Sequence, residues 1–292
     1  MAERSRFEVV IGTDGSVSGH AAVNAATRFP WPPSATVTLV VATRAATGWS
    51  PAARSLAQDA AQRVGGRALR TLRRRWPSAQ SRFPLQPPSV ALLAIARSAG
   101  NAAIVVGSGG RGVLGRLLLG SISRQVVQAA PCPVLVVKGR LPHARQFTIG
   151  VDGSAGARRA VEAVARLSVP PGGQVTLVSV IEPVRMTSGS LLPARVGGAL
   201  RAEAARLISE RRRKMERLQR TMRVRLERAG WTVREVIRIA TPLAGLLEAA
   251  KAGRADVLVI GARGTGGVKR LLLGSVAEGA MTEAPMSILV VR

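Results

Sequence analysis

Tyrosine is absent from this chain of 292 residues, and phenylalanine and tryptophan occur only four times each. So few rings argue against single-strand nucleic-acid recognition by base stacking. The single cysteine, Cys132, rules out an intrachain disulfide, and a reducing interior is the expected setting. The two histidines, His20 and His143, stand far apart, and no His/Cys cluster has the spacing of metal ligands. No apolar run reaches the roughly 18 residues that suggest a membrane span. The opening "MAERSRFEVVIG" enters a strand-like run without a signal-peptide core, so a cytoplasmic location is expected. Acid is scarce too: 16 Asp and Glu face 43 Lys and Arg, a formal net charge of +27. Only four of these cations are lysines, and both halves are basic: residues 1–144 hold 18 basic and 4 acidic, residues 145–292 hold 25 and 12. Such a field attracts nucleotides, nucleic acid or acidic membrane. A compositional bias toward Arg, Ala, Gly and Pro is the competing source.

What is present is a pattern used twice. "IGTDGS" at 11–16 returns as "IGVDGS" at 149–154, and "VTLV" at 37–40 returns at 175–178, both shifted by 138 residues. "LLLGS" at 117–121 returns at 271–275, and "VLVV" at 134–137 as "ILVV" at 288–291, now shifted by 154. The chain therefore reads as a tandem duplication with 16 extra residues in its second copy. Each copy alternates apolar strands with helical stretches, in the order of five strands separated by helices. That order implies a parallel sheet with helices on both faces. The expected domains are 1–140 and 145–292, joined at the polar "KGRLPHARQ". The two halves are expected to pack through their closing strands, 133–138 and 286–292.

The stretch "GSGGRG" at 107–112 matches the dinucleotide fingerprint G-x-G-x-x-G. It follows the fourth strand rather than the first, and "GARGTG" in the second copy breaks the spacing, so chance accounts for it better. Neither copy has a P-loop. Both copies share Gly, two residues, Gly, nine residues, Gly-Ser: Gly107, Gly110, Gly120, Ser121 and Gly261, Gly264, Gly274, Ser275. Gly107 and Gly261 end a buried strand, where a side chain would block a ligand. Gly110 and Gly264 let backbone N–H groups turn inward as an anion nest. Gly120-Ser121 and Gly274-Ser275 open a helix whose free N–H groups favour phosphate. The two serines are expected to cap that helix and to donate to a phosphate oxygen.

This pattern, with its Asp-bearing first strand and valine-rich closing strand, resembles the universal stress protein family, in its tandem two-domain form and ATP-binding branch. The resemblance implies two Rossmann-like α/β units, each a five-stranded parallel sheet with ATP at the carboxyl ends of the strands, with or without Mg. It implies one site from Gly12, Asp14, Ala42, Gly107, Gly110, Gly120 and Ser121, and another from Gly150, Asp152, Val180, Gly261, Gly264, Gly274 and Ser275. The aspartates would face the ribose, with a turn-forming role in Asp-Gly-Ser as the alternative. Ala42 and Val180 would offer backbone to adenine. Arg111, Arg116, Arg263, Lys269 and Arg270 would pair with phosphates or remain solvated.

The expected function is nucleotide-dependent regulation through an unnamed protein partner, with at most slow hydrolysis and no true enzyme activity. Related adenylating enzymes carry an S-G-G-x-D-S or H-x-G-H motif, whereas strand one here ends Thr13-Asp14-Gly15-Ser16 and His20 is alone. The alternatives are an ATP-consuming transferase and a polyanion-binding protein. For the latter, residues 206–228 read as a helix in which Arg211, Arg212 and Arg213 cannot share one face. The protein is expected as an intramolecular pseudo-dimer, with homodimerisation open. The second site is expected to be the tighter one. Lys269 and Arg270 lie near its Gly-Ser, Pro87 and Pro88 would shift the helix behind the first loop, and Asn101 stands where the second copy has Asp256.

Overall fold

In a computed structural model of the chain, the described residues are 6–43, 48–109, 119–184, 194–264 and 273–292. The first half contains β1 (Glu8–Gly12), α1 (Val17–Arg28), β2 (Thr36–Val40), α2 (Pro51–Arg73), β3 (Gln80–Arg82), α3 (Pro88–Ala99), β4 (Ala102–Gly107), α4 (Ser121–Ala129) and β5 (Val134–Val137). The second repeats the order as β6 (Gln146–Gly150), α5 (Ala155–Ala165), β7 (Gln174–Ile181), α6 (Ala194–Glu227), β8 (Thr232–Ile239), α7 (Pro242–Ala252), β9 (Val257–Gly261), α8 (Ser275–Glu283) and β10 (Ser287–Val291). The expected alternation is thus observed. β3 has only three residues against eight in β8, and α6 absorbs much of the second copy's extra length.

The strands build one ten-stranded sheet in the order β3-β2-β1-β4-β5-β10-β9-β6-β7-β8. Every pairing is parallel except β5 with β10, which is antiparallel and sets Leu135 opposite Leu289. The two parallel sheets therefore fuse through their closing strands, as the valine-rich edges required. Antiparallel pairing turns the second half end for end, so the carboxyl edges of the two halves point in opposite directions. The same helix faces continue across the seam. One core layer holds residues of α1, α2, α5 and α6 with Leu135 and Leu289. The other holds residues of α3, α4, α7 and α8 with Val136 and Ile288.

The seam carries more than the ladder. Trp31, Phe29, Phe147 and Trp231 form a chain of rings, with centroids 4.3, 5.9 and 5.1 Å apart, that crosses from one half to the other. Such contacts add to area burial, and nothing in the repeat pattern announced them. Lys138 Nζ donates to the Ala284 carbonyl at 2.7 Å, beyond α8, and Arg292, its counterpart 154 residues on, donates to the Gln128 carbonyl in α4. Burial lowers the Lys138 amine to about 8, so it still carries its proton at neutral pH and serves these carbonyls as a cation.

Arg124 and Glu278 occupy equivalent positions of the two copies and meet across the pseudo-twofold axis at 3.1 Å. Pairing of either half with its own copy would oppose like charges there. Both side chains are about half exposed (45% and 51%), so screening limits the effect. Glu278→Arg is expected to destabilise the protein by ~0.5 kcal/mol in urea unfolding. Adding Arg124→Glu should restore the loss, and a fully additive double mutant would contradict the pairing.

Candidate functional site

In each half the chain leaves β1 or β6 toward one side of the sheet and β4 or β9 toward the other, because β1 lies between β2 and β4 and β6 between β7 and β9. The gap above the carboxyl ends of these strands is a topological switch point, where open α/β sheets hold ligands. In the first half it forms a cleft of ≈ 500 Å³, within the usual range for small-molecule sites.

Three kinds of surface line that cleft: apolar side chains from Val40, Ala42, Leu92 and Val106, the carboxylate of Asp14, and the glycine segment with Gly107, Gly109, Gly120 and Ser121. The first helical bond of α4 there runs from Arg124 N to Gly120 O at 3.0 Å. The N–H groups of Ser121, Ile122 and Ser123 precede that bond and carry the positive end of the helix dipole. In the second half the matching bond is Glu278 N to Gly274 O, 2.9 Å.

The serines do not cap these helices, contrary to expectation. The N-cap residues are Gly120 and Gly274, without a side-chain cap bond, and Ser121 and Ser275 are the first residues of α4 and α8. Side-chain capping is done elsewhere: Ser16 Oγ accepts from Gly19 N at 3.1 Å, and Ser154 Oγ from Ala157 N at 3.0 Å. Ser121 and Ser275 are exposed at the mouths of their loops.

Gly107 and Gly261 also answer a packing demand that the sequence did not show. A Cβ on Gly107 would strike the Ser18 carbonyl, and one on Gly261 would lie 2.6 Å from the backbone carbonyl carbon of Gly156. These glycines let the first turn of α1 or α5 settle directly on β4 or β9; helix–sheet packing demands them before any ligand does. Gly107→Ala is accordingly expected to cost about 2–3 kcal/mol in denaturant unfolding, as overpacking does. A change within error would remove this explanation.

Gly120 and Gly274 behave differently. Their φ/ψ values of −62°/150° and −76°/154° are open to any residue, and a Cβ on either would find its nearest neighbour at 3.5 Å. Nothing among the described residues requires glycine there.

Asp14 and Asp152 form the turn that the sequence suggested, each Oδ1 accepting from the N–H of Ser16 or Ser154 at 2.9 Å. A Cβ on Gly264 would lie 2.7 Å from Asp152 Oδ2, so the backbone at Gly264 lies against the aspartate. Gly12 and Gly150 lie under Leu92 and Leu246, which a Cβ there would approach to 2.9 and 3.3 Å. Ala42 stands just beyond β2. Val180 lies within β7, opposite Arg238 and two residues past the last β6 pairing, with one strand edge open. Gly110, Arg111, Arg116, Lys269 and Arg270 lie outside the described residues.

Two reasons for unequal sites fail. Pro88 opens α3 at the position where Pro242 opens α7, so the helix is not displaced. Asn101 and Asp256 sit at the amino ends of β4 and β9, away from either cleft; Asp256 Oδ2 accepts from Arg145 and Gln146 N–H there. Sequence reasoning missed Leu92 and Leu246, although both sit in the apolar runs "ALLAIA" and "GLLEAA". It also missed Ser18, whose hydroxyl donates to the Gly109 carbonyl and ties the glycine segment to α1. Among the described residues no three His, Cys, Asp or Glu gather as metal ligands, and no helix is long and apolar enough to cross a membrane.

The sequence signature described as the universal stress protein family matches residues 7–138 and again 144–292. A universal stress protein of Mycolicibacterium smegmatis is 31% identical over 223 residues, 71% of this chain and 67% of its own length. One from Mycobacterium tuberculosis is 28% identical over 201 residues; the match covers 65% of this chain and 61% of that protein. The chain thus spans less than two thirds of that relative. Among solved structures, a universal stress protein from Archaeoglobus fulgidus has a TM-score of 0.65 at 19% identity, covering 98% of this chain and 96% of that one. A protein of the same description from Pseudomonas aeruginosa has a TM-score of 0.60 at 18% identity, covering 99% and 93%.

Proposed function

The chain belongs to the universal stress protein family, and from that premise we propose that it is an ATP-binding regulatory protein with one site in each half. The observation that carries this reading is the pair Gly120 and Gly274. Conformation and packing among the described residues leave their missing side chains unexplained, and both stand at a helix N-terminus that follows the glycine loop. A phosphate approaching those N–H groups is the neighbour that a side chain would obstruct. The apolar lining of the cleft suits a purine, and Asp14 suits ribose hydroxyls. The Asp14 Oδ1 that holds Ser16 N–H fixes the carboxylate on the cleft wall.

The nucleotide state acts as a signal in this reading. Among the described residues lining the cleft, Asp14 is the one titratable side chain, which suits binding of a nucleotide. Magnesium would be held chiefly through the phosphates it accompanies. Equilibrium dialysis against ATP tests the proposal. Saturable binding approaching two equivalents, undisplaced by excess inorganic phosphate, is expected; binding that phosphate alone abolishes would refute recognition of the nucleoside.

A further inference from the structure

The charge of this protein is not spread evenly over its two helical layers. α1, α2, α5 and α6, which share one core layer, together contain 19 Lys and Arg against 6 Asp and Glu, a net +13. α3, α4, α7 and α8 cover the opposite face with Arg97, Arg124 and Lys251 against Glu248, Glu278 and Glu283, a net charge of zero. The first set has 80 residues and the second 41. A uniform bias toward arginine would have given the second layer about ten cations at the density of the first, where it has three. Composition alone does not sort residues by face.

The excess is also ordered. On α2, Arg63, Arg67 and Arg70, with Arg74 just beyond, fall at i, i+4, i+7 and i+11, on the side opposite the buried Ala61, Gly65, Ala68 and Leu72. All four are exposed. On α6, the exposed Arg213, Arg217 and Arg220, with Arg228 past its end, run along the outer side, away from the buried Gln219, Met222 and Leu226. The ion pairs of α6 use Arg206, Arg212, Arg223 and Arg225 instead. Among the described residues, neither row pairs with a carboxylate within salt-bridge distance. At 1.5 Å per residue, successive positions lie about 4.5–6 Å apart along the α2 row and from Arg213 to Arg220 on α6, with about 12 Å more to Arg228.

We infer that this face is a docking surface for the phosphate backbone of duplex DNA, independently of the nucleotide sites. α2 lies over β2 and β3, and α6 over β7 and β8. Eight strand spacings, roughly 35–40 Å, separate these pairs, and sheet twist turns the two rows away from each other, so each row offers its own track for a duplex backbone. Arginine favours phosphate through its fork of donors. A bilayer surface fits less well. Trp31, Trp76 and Trp231 are buried, and the large exposed apolar side chains of this face, Val17, Leu56, Leu200 and Val224, come singly. Arginines spent on phosphates position a duplex without reading its bases, so binding is expected to be independent of sequence.

Fluorescence anisotropy of the full chain with a random-sequence 30-base-pair DNA tests this at 50 and 200 mM NaCl. Expected is binding that weakens steeply with salt. Replacing Arg63, Arg67, Arg70 and Arg74 by Gln should weaken it at least ~10-fold and lower the salt slope by roughly 3–4, with an unchanged thermal midpoint. Replacing Arg97 and Lys251 on the other face by Gln should change neither. The inference is overturned by absent binding at 50 mM, by unchanged binding in the α2 variant, or by tighter binding to phosphatidylserine vesicles than to DNA.

Discussion

Replacing Gly120 and Gly274 together by valine should empty the protein of nucleotide and leave it folded. At both positions the backbone lies in the extended region that valine adopts freely, and a Cβ meets nothing closer than 3.5 Å. An N-cap valine costs about 1 kcal/mol, because valine caps poorly. A phosphate held against the N–H groups of α4 or α8 would instead meet the new methyl groups. The expected loss of ATP affinity is on the order of 100-fold per site, about 2.8 kcal/mol. Titration calorimetry of each single variant should leave one site intact. Wild-type stoichiometry in the double variant would remove the phosphate-cradle reading.

Deleting residues 287–292 should turn a well-behaved protein into an aggregating one. β10 is paired on both sides, with β9 and with β5. Without it, Val134–Val137, buried along its whole length, becomes an open apolar edge, and such edges recruit other chains. The shortened chain also loses Arg292, whose guanidinium holds the Gln128 carbonyl. Size-exclusion chromatography is expected to show high-mass species; a monodisperse monomer would contradict the role given to the seam.

The two results bear on different parts of what the residues disclose. Tandem order, parallel strands and the closing pair were legible because buried strands leave unbroken runs such as "AAIVVG" and "SILVV", and repeats align by counting. The function of single glycines was not. Gly107 and Gly120 look alike as letters, yet one is fixed by the Ser18 carbonyl and the other by nothing among the described residues. Close backbone approach between α1 and β4 is a tertiary event with no local trace. The same limit hid the role of Ser121: a Gly-Ser at a helix start suggests a serine cap, but the helix begins one residue earlier than that reading requires, with Gly120 as its cap. The ring chain from Trp31 to Trp231 joins residues 200 positions apart, so no pattern within either copy predicts it. The sorting of arginine between faces needed the fold as well, since the sequence gives the same net sign to both halves.

Native mass spectrometry of the gently purified full chain bears most directly on the central claim, that each half holds an adenine nucleotide against its Gly-Ser helix start. Peaks carrying one and two ATP masses are predicted, with the two-ATP species filled by added ATP and reduced to one by Gly120→Val or Gly274→Val alone. A bare chain that stays bare in excess ATP would contradict the account.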